Sequence, residues 1–309
     1  MITSIFSKSR PFNYVIVVIA LFFCFVSYQF KDLKSDLTVD SIIQNLLVLG
    51  LLIFSMFLTN FIAKRNDLNK NNSYTLLFHL ISLLFFPIIF KDLKLVLASF
   101  FIILAMRRMI SLQSMQSVKE KIFDASLWIF VASLFHFWAI LFIILVFISI
   151  ISHVSRDYRN WIIPFIAFFG GSVIFIFFGL LFNKEVLFTY LYGIVADLRF
   201  DYFKNNIQSL SFIIYTLYSL LFLLALLFSL AKRPLILLSS YYKIIASFII
   251  GVLIFLVSPD KNNSLLVFTI APMVIMATSF IEIIRDKVFK EIILTSFLII
   301  GFLMFFFQL

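Results

Sequence analysis

The sequence predicts an all-α fold, a polytopic bundle of transmembrane helices, and three observations carry that prediction. Of its 309 residues, 63% are hydrophobic and 13% charged, where a soluble domain usually carries about a quarter charged residues. Mean hydropathy is +1.13. Apolar runs near the roughly 20 residues needed to cross about 30 Å of hydrocarbon fill most of the chain. These features exclude the water-soluble enzyme classes and make 1–309 a single integral membrane domain.

The elements follow in order. A basic start (Lys8, Arg10) precedes an apolar run over 12–30, the outline of a signal peptide. That run is too long for an ordinary h-region and lacks an A-x-A-like exit, so it reads as a retained first span. Runs at 41–63, 74–90 and 93–110 come next, the last shortened by Lys94, Arg107 and Arg108. The stretch 122–154 has 33 residues, about 50 Å as one helix at 1.5 Å per residue. It is too long for one span and tight for two. Runs at 161–182, 209–231, 244–259, 265–284 and 291–309 complete a set of about eleven spans, or nine if 74–110 forms a re-entrant pair.

Charge placement decides how 122–154 is divided, because adding or removing a span moves every later loop to the other side. With two helices turning near His136, seventeen of the 25 Lys and Arg fall on one side and eight on the other. With one helix the division is thirteen against twelve, and no asymmetry remains. Two helices are therefore expected, with the N-terminus in the cytoplasm and the C-terminus in the periplasm. The net charge of +10 then lies on the cytoplasmic face. It serves insertion and attraction to anionic headgroups, and nucleic acid is not an expected partner.

The longest extramembrane stretch, 183–208, falls in the periplasm. Leu187, Leu191, Ile194, Leu198 and Tyr202 recur at helical spacing, the pattern of an amphipathic helix lying along the membrane surface. Asp197, Arg199, Asp201 and Tyr202 make this segment a candidate lipid or substrate loop. Anchoring is its plainer role.

Chemistry at a bilayer surface needs a carboxylate or histidine where water and headgroup both reach. Asp32, Asp36 and Asp40, spaced four apart in the first outer loop, and His136 at an outer turn are the candidate catalytic residues. Against them stand a solvated charge run and an interfacial turn. The Arg107-Arg108 pair could hold a lipid phosphate, or simply anchor topology. The histidines His79, His136 and His153 do not form a ligand set, and a lone Cys24 excludes an internal disulfide and a multi-cysteine metal site. No metal and no cofactor are expected. Inside the spans, Asp124 stands three residues from Lys121, suited to pairing. Ala167 and Gly171 form a small-xxx-small surface that lets another helix approach closely. No chain of acids crosses the core, and no Gly/Pro-broken spans recur in two halves, which argues against a proton pump or an inverted-repeat transporter.

Two resemblances follow. The opening residues 1–13, the Phe123-Asp124-Ala125-Ser126 and Ala132-Ser133-Leu134-Phe135 runs, and Ala271-Pro272 resemble an uncharacterised family of polytopic membrane proteins from Bacteroidota. That resemblance implies a multi-pass protein of the bacterial inner membrane and brings no activity with it. The helix pair over 122–154, with the basic loop and Trp161 after it, is similar to a feature of the GT-C class of membrane glycosyltransferases. In that class the catalytic acid lies in a long first outer loop. Here that loop, 31–40, has ten residues and matches no class motif, so no catalytic role transfers. The expected function is a non-catalytic component of envelope assembly or export that binds membrane lipids or other inner-membrane proteins. The alternative is a GT-C-like enzyme or handler of polyprenyl-linked sugars at the periplasmic face.

Overall fold

The computed structural model describes residues 2–30, 39–182, 184–185, 190, 195–198, 206–259 and 261–309. Every regular element among the described residues is helical. In chain order these are α1 (Ile2–Phe6), α2 (Pro11–Phe30), α3 (Val39–Arg65), α4 (Tyr74–Leu84), α5 (Leu93–Ser111), α6 (Val118–Phe135), α7 (Ile143–His153), α8 (Arg159–Phe182), α9 (Asn206–Ser229), α10 (Leu235–Val257), α11 (Val267–Ile283) and α12 (Lys287–Gln308). Short 3₁₀ turns cover Pro87–Lys91, Phe137–Phe142 and Asn263–Leu266, among others. Among the described residues, eight helical segments are long and apolar enough to cross a membrane, with shorter apolar segments at Tyr74–Leu84 and Phe137–His153. The chain is a multi-pass membrane protein.

It divides into two compact units. Unit 1 comprises Met1–Val96, Phe200–Arg233 and Asn262–Leu309; unit 2 comprises Leu97–Arg199 and Pro234–Lys261.

Unit 1 is built around α4, which is buried at all eleven of its positions, the polar Thr75, His79 and Ser82 on one face included. Pro87 ends this element: a proline cannot donate to a helix, and it keeps the preceding Phe86 out of the helical region (φ −134°, ψ 67°). Aromatic rings fill the space around α4. Phe78 meets Phe222 edge-on at 5.8 Å, Phe85 stacks on Phe297 at 5.2 Å, and Phe86 meets Tyr215 at 4.8 Å. The buried Tyr215 hydroxyl is satisfied by Thr269 Oγ1 at 2.9 Å. Gly301 on α12 admits Ile81, whose Cγ2 would stand 2.7 Å from an added Cβ.

In unit 2, α8 lies against α6 at the predicted small surface, where Ala167 is buried and Gly171 meets the Phe130 ring. The far side of α8 exposes Phe165, Phe169, Phe177 and Phe182. Only 17% of this helix's most apolar window is buried, against 94% for the 263–283 segment. Similar hydropathy therefore serves lipid contact in one helix and core packing in the other.

Three expectations change. The tenth helix begins at Leu235, nine residues before the expected start of 244. Lys243, expected in a loop, lies fully buried inside it, with Nζ donating to the Met109 carbonyl at 2.9 Å. A buried ammonium is tolerated where a carbonyl accepts from it, and a hydropathy window cannot see that acceptor. Asp124 pairs with Arg108 at 2.8 Å rather than with Lys121. Lys121 instead donates to Ser111 O at 2.9 Å and Ser114 Oγ at 2.8 Å. Finally, 195–198, within the amphipathic helix expected over 187–202, carry no regular structure. The Asp197 N–H there donates to the Val257 carbonyl at 3.1 Å, a partner outside any helix of its own. Most of the remaining 187–202 positions lie outside the described residues.

Candidate functional site

A cleft of about 420 Å³ opens in unit 1 at the end where α2 finishes and α3 begins. Its polar wall is Gln44, Lys91, Asp92, Lys94, Asn262 and Ser264; Ile88 and Leu93 supply apolar surface. Each side chain has a local reason for its position. Asp92 caps α5, Oδ1 accepting from Leu95 N at 3.1 Å, so a carboxylate is held where the unpaired N–H groups and dipole of a helix N-terminus favour one. Asn262 caps the 263–266 turn in the same way, Oδ1 accepting from Ser264 N at 2.9 Å. The Ser264 hydroxyl lies between Asn262 Oδ1, its closer partner, and Asp92 Oδ2 at 3.4 Å. These contacts tie the two turns to one another.

The lysines complete the wall. Lys91 Nζ stands 5.0 Å above the Tyr28 ring. The 3₁₀ turn that carries it is pinned to α2 by Gln29 Nε2 donating to Phe90 O at 3.2 Å and by the edge-on Tyr28–Phe90 contact at 5.9 Å. Lys94, exposed, makes no ion pair among the described residues. Two ammonium groups, one carboxylate with an oxygen only weakly engaged, and neutral amide groups suit a polar, anionic or hydroxyl-rich group.

Of the sequence-predicted residues, Asp40 lies nearest this cleft along the chain. It is exposed in the first turn of α3, one helical turn before Gln44, a rise of about 6 Å. Asp32 and Asp36 lie outside the described residues, as do Arg199, Asp201 and Tyr202. The cleft residues themselves were not singled out from sequence, although a signal for them exists. Phe-Lys-Asp-Leu-Lys occurs twice, at 30–34 and at 90–94. The second copy forms the cleft, and the first follows directly on the end of α2 against which that copy docks.

His136 and Asp197 come to one end of unit 2. His136 Nε2 is 3.0 Å from Ser258 Oγ. The Ser258 hydroxyl also reaches Ile254 O at 2.7 Å. Lys261 Nζ donates to the Asp197 carbonyl and to Ser258 O, the latter at 3.2 Å. Through the first of these contacts His136 joins the end of α6 to Ser258, beside the Lys261–Asp197 contact. Arg107 is exposed and Arg108 is partnered by Asp124, so the arginine pair presents one guanidinium already matched by a carboxylate. No group of three or more His, Cys, Asp or Glu able to hold a metal occurs among the described residues.

Comparison with known protein families, curated proteins and solved structures finds no match to this chain.

Proposed function

We propose that this protein is a lipid-binding component of the bacterial inner membrane, serving envelope assembly or export. The single observation that supports this reading is the cleft of Lys91, Asp92, Lys94, Gln44, Asn262 and Ser264. It is a polar recess at one end of unit 1. In the same reading the chain crosses the bilayer about eleven times, with the N-terminus in the cytoplasm and the C-terminus in the periplasm. The segregation of basic residues supports this, and in this reading the cleft lies at the periplasmic leaflet. A lipid held there rests its chains against neighbouring helices while the ammonium groups of Lys91 and Lys94 meet its phosphate.

The test is purification in mild detergent followed by mass spectrometry of retained lipids. The wild type should retain a phosphate-bearing lipid above its share of the membrane, and Lys94→Gln should lose that enrichment. Retained lipid that mirrors the bulk membrane in both proteins would end the proposal.

A second reading, a GT-C-like enzyme or handler of polyprenyl-linked sugars, is favoured by the position of Asp92 and Asp40 at the same end of unit 1. Turnover of a polyprenyl-phosphate sugar by reconstituted protein, abolished by Asp92→Asn or Asp40→Asn, would establish it over the non-catalytic reading.

A further inference from the structure

Unit 2 holds a recess of its own. The C-terminal turn of α7, the 154–157 loop and the starts of α6 and α8 enclose about 620 Å³, within the size range of small-molecule sites. Its polar lining includes Lys119, Arg156, Asp157 and Asn160, and Met115, Val118 and Ile151 give it an apolar wall. Met115 and Ile151 are exposed. Trp161, with Nε1 donating to Ser155 O at 3.3 Å, and the exposed Tyr158 place aromatic rings at this end, the residues favoured at a membrane–water interface.

Two features of the lining specify a ligand. The first is charge. Lys119 and Arg156 are faced by the one carboxylate of Asp157, and Lys119 Nζ is only loosely paired with it at 3.9 Å. Arg156 has no ion pair among the described residues. The recess therefore has one positive charge in excess. The second is Asn160, only 3% exposed. Its Nδ2 donates to Val154 O at 3.2 Å, which fixes the amide orientation, since a carbonyl can face only the NH₂ group. Oδ1 is then a buried acceptor with no partner among the described residues. A buried acceptor left unmatched costs free energy that a donor brought by a ligand recovers.

We infer that this recess binds the headgroup of an anionic phospholipid that carries a free hydroxyl, a phosphatidylglycerol-type headgroup. Its single phosphodiester charge matches the excess cation and lies between Arg156 and Lys119. Its hydroxyl donates to Asn160 Oδ1, and its acyl chain runs along Met115, Val118 and Ile151. A zwitterionic headgroup leaves the excess charge uncompensated, and an anionic headgroup without a hydroxyl leaves Asn160 unmatched. The inference does not depend on which reading of the unit 1 cleft holds.

Native mass spectrometry of the delipidated full-length protein, titrated with defined lipids, tests it. Phosphatidylglycerol should bind about tenfold more tightly than phosphatidylcholine, with phosphatidylmethanol, anionic but without a hydroxyl, in between. Arg156→Gln, at an exposed side chain, should remove the preference for phosphatidylglycerol over phosphatidylcholine, whereas Arg285→Gln, in unit 1, should leave it intact. Asn160→Leu should bring phosphatidylglycerol down to the level of phosphatidylmethanol. Competition by soluble glycerol 1-phosphate distinguishes a site for the free headgroup from one for the lipid, and no displacement at millimolar concentration is expected. Equal binding of all three lipids, unchanged preference in Arg156→Gln, or full displacement by glycerol 1-phosphate would overturn the inference.

Discussion

Replacing Gly171 by alanine probes the seam between α6 and α8. An added Cβ would lie 2.5 Å from Cδ1, 2.7 Å from Cε1 and 3.0 Å from Cγ of Phe130. Carbon atoms in comfortable contact stand about 3.5–4.0 Å apart, so the ring or the helix must shift by about an ångström. The ring has little freedom to do so, since Phe130 is buried and its neighbour Phe168 meets it edge-on at 5.7 Å. Overpacking of this kind costs about 1–3 kcal/mol, offset by at most about 1 kcal/mol from the better helix propensity of alanine. Gly170 supplies the internal control, because nothing lies within 4 Å of a Cβ added there. Gly170→Ala gains the propensity without the clash. The two variants should therefore separate by about 1–3 kcal/mol, several degrees in melting temperature. Thermal unfolding of purified protein in one mild detergent, followed by intrinsic fluorescence, reads this difference. In a Phe130→Leu background the penalty of Gly171→Ala should shrink, a coupling expected only for groups in contact. Indistinguishable melting of the Gly170 and Gly171 variants would refute the reasoning.

Three further outcomes are expected. Lys243→Met removes a buried ammonium that has one carbonyl partner, and should stabilise the protein by about 1–4 kcal/mol; a lower melting temperature would count against this. Asp124→Asn breaks the Arg108 pair, but side chains 42% and 34% exposed are well screened, so the loss should stay within about 1 kcal/mol in the same assay. Glu291→Gln weakens the carboxylate that accepts from Ile2 N at 2.6 Å and Thr3 N at 3.2 Å. Hydrogen exchange over residues 2–6 should accelerate in that variant while α4 remains protected.

The membrane class and most helix positions were legible because hydropathy reports the cost of leaving a side chain in lipid, a property summed along the chain. The close approach at Gly171 was legible for a different reason: a side chain of one hydrogen has no other use on an apolar helix face than proximity. Periodicity and composition could not say which apolar helix is core and which faces lipid. The 263–283 segment and α8 have similar hydropathy, yet they differ in burial because of the shapes of their neighbours, and those neighbours lie far away in sequence. The site candidates followed the same division. Asp40 and His136 were identifiable as polar residues at turns. That His136 meets Ser258 depends on a residue 122 positions away, so no local reading could name its partner.

Lys243 shows how far the topological argument tolerates such errors. Assigning it to a loop misplaced the start of α10 by nine residues, because a lysine was taken as the end of an apolar run. Within a membrane helix a lysine is costly unless its ammonium reaches an acceptor or an interface, and the Met109 carbonyl supplies the acceptor. Removing Lys243 from the loop tally still leaves basic residues on one side in twofold excess over the other. The expected orientation therefore rests on the remaining charges, which is why it should survive Lys243→Met. Cysteines introduced singly at Lys70 and Lys94, in a Cys24→Ser background, make this decisive. An impermeant thiol reagent applied to intact cells should label the Lys94 position and leave the Lys70 position unmodified until the cells are broken. Labelling of both positions in intact cells, or of Lys70 alone, would invert or abolish the orientation on which the periplasmic placement of the unit 1 cleft depends.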